Sequence, residues 1–140
     1  MSIPFGVLIP CVDNLGFTLE KFENGTSELH FRPRAEHLNS FEITHGGAVM
    51  TLLDVVMATA ARSVEQDMGV VTIEMKTTFM RPAKVPAGQA LVGKGHLQHR
   101  TRSMAFTEGS VFDAQGQLCA HATGTFKYVS RRDTASPSTD

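Results

Sequence analysis

One carboxylate interrupts the most apolar stretch of this chain. Residues 48–61 read AVMTLLDVVMATAA, with Asp54 near the centre and Thr51 and Thr59 as the other polar positions. Ionising a carboxylate on a helix buried on most sides is costly without partners, and such groups concentrate where a general base or a nucleophile is needed. A wet stripe on the helix or a structural hydrogen-bond network is the alternative open to Asp54. Just upstream stands His45-Gly46-Gly47. The first N–H groups of a helix lack intrahelical acceptors and carry positive potential, and glycine lets an oxygen approach them closely, so this segment suits a developing oxyanion. A tight entry turn is the plainer use of two glycines.

Spacing decides how the two features cooperate. Asp54 follows Gly46 by eight residues, about 12 Å along a helix axis at roughly 1.5 Å per residue. One helix therefore cannot bring both to a single reacting group. Two antiparallel helices from two subunits set the start of one beside the middle of the other, which predicts a symmetric dimer with paired sites.

Other chemistries find little support. The chain has no GxSxG elbow, Walker loop or HExxH, and Gly93-Lys94-Gly95 lacks the third glycine of a dinucleotide fingerprint. His96 and His99, three apart on an expected strand, should point to opposite faces, so no metal site is expected. Cys11 and Cys119 have no CxxC spacing, which suggests neither zinc nor a disulfide framework. Residues 1–12 are fairly apolar but are broken by Pro4 and Pro10, with no Lys or Arg before Lys21, a poor secretory signal. The expected location is the cytoplasm. With 13 basic and 14 acidic residues, the net charge of -1 exerts no overall pull on nucleic acid or an acidic membrane.

The elements that must position these residues form one domain, expected over residues 1–130, followed by a polar, disordered tail over 131–140. Residues 15–23 and 26–32 are strand-like and joined by Asn24-Gly25, the pair best suited to a tight hairpin turn. A helix is expected over 46–66, too short and too interrupted to span a bilayer. Strands are expected over 70–80, 89–99, 103–113 and 117–129. In the last, Leu118, Ala120, Ala122, Gly124, Phe126 and Tyr128 take one face and Gln117, Cys119, His121, Thr123, Thr125 and Lys127 the other. Likewise Val71, Ile73, Met75 and Phe79 alternate, which sets Thr72 on the polar side of its strand. A helix apolar nearly all round needs a sheet wrapped over it, and short turns favour antiparallel pairing; the expected class is α+β, a curved antiparallel sheet around one long helix.

The stretch Asn39-Ser40-Phe41-Glu42-Ile43-Thr44-His45-Gly46-Gly47, followed by Leu52-Leu53-Asp54, resembles the signature of hotdog-fold acyl-CoA thioesterases of the phenylacetic-acid-degradation type. Val71-Thr72-Ile73-Glu74-Met75 and Phe79-Met80-Arg81-Pro82-Ala83 are similar to the strand after the helix, and Arg102-Ser103-Met104-Ala105-Phe106 and Ala122-Thr123-Gly124-Thr125-Phe126 to the last two strands. The resemblance implies a hotdog fold and hydrolysis of an acyl-CoA without a cofactor, coenzyme A being part of the substrate. It implies that Asp54 is the catalytic base or nucleophile and that the Gly46 N–H polarises the thioester oxygen. Asn39 and His45 then orient the thioester or the water, and Thr72 helps to place the water. One subunit supplies Asp54 and its partner supplies Asn39, His45 and Gly46, in a homodimer expected to pair into a homotetramer.

Further substrate contacts are expected at Gly47 and, on an apolar path for the acyl group, at Met50, Met57 and Phe79, methionine being adaptable in shape, with ordinary core packing the plainer use of such residues. Arg102, and after it Lys84, are the expected contacts for the phosphates of coenzyme A, because a chain of near-zero net charge needs local cations there. Two other functions fit the same features. One is a hotdog hydratase or dehydratase with His45 as acid/base and Asp54 as its partner. The other is a noncatalytic acyl-CoA binding module.

Overall fold

The computed structural model describes residues 2–131; apart from Arg131, the expected tail lies outside the described residues. A short helix α1 (Pro10–Leu15) leads into strands β1 (Thr18–Glu23) and β2 (Thr26–Phe31), then a 3-10 turn (Ala35–His37) and the long helix α2 (Gly46–Arg62). Strands β3 (Met68–Phe79), β4 (Leu91–Arg100), β5 (Met104–Phe112) and β6 (Leu118–Ser130) follow. All six strands join one antiparallel sheet in the order β1-β2-β4-β5-β6-β3. Helix α2 packs against every one of them, which only a curved sheet allows. The expected α+β architecture is borne out. No helix among the described residues is long and apolar enough to cross a membrane.

The core lies between α2 and the sheet. Leu52, Leu53, Val56 and Met57 of the helix are fully buried against Leu29, Phe31, Leu91, Val111 and Phe126. Glycines on the strands let the helix come this close. A methyl group at Gly95 would lie 2.3 Å from the Val56 carbonyl oxygen, and one at Gly109 would lie 2.9 Å from Met57 Cγ. Ser27 Oγ, beside Gly95, donates to that same carbonyl and anchors the helix to the sheet.

Local chemistry moved several element ends. Residue 15 belongs to a helix and not to a strand: Pro10 opens α1, where its missing N–H costs nothing, and Gly16 closes it at φ +78. The hairpin turn is as expected, with Asn24 at φ 51 and Gly25 at φ 81. Helix α2 stops at Arg62 and does not reach residue 66. Ser63 Oγ donates to Ala60 O at 2.7 Å and accepts from Gly25 N–H at 2.7 Å, so the helix end is tied to the hairpin turn.

Three further expectations fail at β-bulges, where one extra residue on a strand inverts the alternation beyond it. On β4, Leu97 pairs with Thr107 and His99 with Phe106, leaving Gln98 extra. His96 and His99 therefore share the outer face, where His96 Nδ1 lies 3.7 Å from Glu108 and His99 stacks on Phe106. On β6, Phe112 pairs with Leu118 and Val111 with Ala120, so Cys119 is extra and turns inward, fully buried. The third bulge, on β3, shapes the candidate site.

Candidate active site

Asp54 lies midway along α2, half-buried, and its Oδ1 accepts a hydrogen bond of 2.6 Å from Thr72 Oγ1. A bulge makes that contact. Thr72 pairs with Phe126 and Glu74 with Thr125, leaving Ile73 unpaired. Strict alternation would set Thr72 outward with Glu74 and Lys76; the extra residue turns it toward α2 instead. Val70 and Thr72 thus share the helix-facing side with Met75, while Val71 and Ile73 stand exposed at 40% and 55%. The expected polar-side placement of Thr72 is corrected by this bulge, which nothing in the residue types announces.

Burial raises the Asp54 carboxyl above the ordinary aspartate range, and the Thr72 hydroxyl, which favours the ionised form, opposes it. Two cavities meet at the pair. One, of about 330 Å³, is lined by Met50, Thr51 and Met75; the other, of about 350 Å³, runs along α2 away from its start. Met50, 36% exposed, therefore sits beside the carboxylate.

Other candidate residues gather at the start of α2. His45 is the N-cap, and its Nδ1 accepts from the Gly47 N–H at 2.8 Å. That bond occupies the Gly47 donor, so the expected substrate contact at Gly47 loses its N–H. The Gly46 N–H, in contrast, has no acceptor among the described residues. It borders a cavity of about 360 Å³ together with Asn39, Val49, Phe79 and Met80. Phe79 is close enough that a methyl group at Gly46 would lie 3.6 Å from its ring. Asn39 Oδ1 accepts from the N–H groups of Phe41 and Ile43 at 2.9 and 3.1 Å, shaping the loop in which Glu42 adopts φ 61. Its Nδ2 group has no acceptor among the described residues and remains a donor for a ligand.

The two halves do not meet within one chain. No residue lines both the Gly46 cavity and either Asp54 cavity. Met57 joins neither: it is fully buried, with its Cε and Cγ against Gly124 and Gly109, so its expected place on the acyl path is corrected to the core. Arg102 is exposed in the turn between β4 and β5, outside every cavity described above. Lys84 is exposed on the loop after β3 and lines a neighbouring cavity of about 260 Å³, which shares Thr44 with the Gly46 cavity.

A curved sheet around a helix that begins with an unoccupied N–H and carries a half-buried carboxylate at its middle defines a hotdog-fold thioesterase. The family model of the Thioesterase superfamily matches residues 41–120, and the chain belongs to that family. It is 31% identical over 112 residues to SSO1253, an esterase candidate of Saccharolobus solfataricus, covering 80% of this chain and 73% of that one. It is 32% identical over 91 residues to human acyl-coenzyme A thioesterase 13, spanning 64% of each protein. In structure it is similar to the Escherichia coli PaaI protein from the phenylacetic acid degradation operon, with a TM-score of 0.79 and 22% identity over 86% of this chain and 85% of that one. The expected fold and reaction class are borne out.

Proposed function

We propose that the protein hydrolyses acyl-CoA thioesters to a free acid and coenzyme A in a site shared by two subunits. Asp54 of one subunit activates water or attacks the thioester carbon, and the partner's Gly46 N–H receives the charge that develops on the thioester oxygen. Asn39 and His45 border that donor and orient the substrate, while Thr72 holds the carboxylate. A thioester is already an activated acyl donor, so a positioned base and an oxyanion donor suffice for the reaction. The observation that carries this reading is the separation of the Asp54–Thr72 pair from the unoccupied Gly46 N–H, in cavities with no common wall. A homodimer, and a homotetramer built from it, is the working assembly, with Arg102 and Lys84 toward the nucleotide end of coenzyme A.

Replacing Asp54 by Asn keeps the shape and removes the base. Thiol release from acyl-CoA should fall about 10³-fold, within the range general-base groups supply, with KM little changed. Undiminished turnover by this variant would sink the assignment. The hydratase alternative is weaker, because it needs His45 as acid and base, whereas its Nδ1 lone pair is taken up by the Gly47 N–H.

A further inference from the structure

The second cavity at Asp54 continues along α2 past Val55 and Ala58, with Val70 opposite, to Arg62, and Arg131 lines it as well. Arg62 is 8% exposed, its Nε is buried without an acceptor, and no carboxylate pairs with it among the described residues. Its guanidinium carbon lies 5.6 Å from the Phe22 ring centroid, a contact that compensates a buried cation only in part. Burial first, and the charge of Arg131 second, push Arg62 below its ordinary value. A guanidinium nevertheless keeps its proton in ordinary solution. The groove thus joins the proposed catalytic carboxylate to a buried positive charge with no carboxylate partner among the described residues, an arrangement that an incoming anion would relieve.

Resting on the hydrolase reading above, we propose that this groove accepts an acyl chain with a carboxylate at its far end, held by Arg62 while the thioester sits at Asp54. The preferred substrates are then half-thioesters of medium-length dicarboxylic acids. Eight residues of helix separate the two ends, about 12 Å of rise, and helical side chains lean toward the N-terminus, so Arg62 reaches back toward Asp54. That span fits a chain of suberoyl length and leaves a succinyl group short of Arg62. The phosphates of coenzyme A are the other anions of the substrate. The walls of Val55, Ala58 and Val70 suit methylenes, whereas the pantetheine amides would lose their hydrogen-bond partners there.

The test compares suberoyl-CoA with octanoyl-CoA, which differ at the terminal group. Wild type should favour suberoyl-CoA by about tenfold or more in kcat/KM, chiefly through KM, as a charge-assisted hydrogen bond allows. Arg62→Gln should erase that preference while changing octanoyl-CoA hydrolysis less than about twofold, and Arg62→Lys should restore part of it. Equal use of the two thioesters by wild type overturns the proposal. So does an Arg62→Gln variant that weakens both alike, a result that places the anion on coenzyme A or makes Arg62 purely structural. If neither thioester is hydrolysed, the hydrolase reading fails and calorimetric binding decides the groove by itself. Weaker suberoyl-CoA binding by Arg62→Gln, with octanoyl-CoA binding unaffected, upholds the anion site; equal binding of both by wild type removes it.

Discussion

Asp54 is half-buried and held by one short hydrogen bond, and the proposed base is tuned by the balance of the two. Because burial raises its pKa, the base form is lost as pH falls through a value above the ordinary aspartate range. The acid limb of kcat/KM should therefore lie above that range. Thr72→Val removes the one contact that favours the ionised form, so the limb should move to still higher pH and the plateau should fall about tenfold; Thr72→Ser should restore both. A pH–rate profile unmoved by Thr72→Val would show that Thr72 does not tune the carboxylate. The same shift has a sign in stability. The native state keeps the Asp54 proton to higher pH than the unfolded chain, so stability is full at low pH, falls as pH rises from the ordinary aspartate range through the raised value, and stays lower above it. Asp54→Asn should accordingly raise Tm at neutral pH, with the gain vanishing in acid.

At the scale of elements, α2 is placed by what the strands leave out as much as by what they contribute. Gly95 and Gly109 leave room for the helix backbone and for Met57, and Ser27 and Ser63 fasten its middle and its end. A methyl group at Gly95 meets the Val56 backbone carbonyl, which cannot step aside like a flexible side chain. Gly95→Ala should therefore cost about 2 kcal/mol or more, in the range of overpacked cores, read as a lower denaturant midpoint. Turnover should fall with it, because a displaced helix carries Asp54 away from Thr72. The alternation of apolar residues located every strand, yet it put Thr72, Cys119 and His99 on the wrong faces. A bulge is a property of the pairing between strands, and single residues do not announce it.

For the whole molecule, the separation of the half-sites predicts complementation. Asp54→Asn removes the base and Gly46→Pro removes the N–H donor; Pro is tolerated at the first helical position, and His45 at φ -58, ψ 136 already has the backbone a following Pro requires. Each variant alone should be inactive. Mixed and reassembled in equal amounts, half of the proposed dimers would be hybrid, each with one intact site, so roughly a quarter of wild-type thiol release should return. No recovery on mixing, with both variants folded, would place the whole site within one chain.

By itself the sequence determined the architecture and singled out the candidate groups: apolar alternation marked the strands, Asn24-Gly25 the hairpin, and the lone carboxylate among apolar residues pointed to Asp54. Those are local properties, set by side-chain type and period. Only the tertiary structure decided which donors remained available, because His45 takes the Gly47 N–H and leaves that of Gly46. It also decided that Thr72 faces the carboxylate and that Met57 is core, and it exposed Arg62 as a buried charge without a carboxylate partner among the described residues. Each of these depends on groups distant in the chain meeting or failing to meet, a matter of packing that residue order does not record.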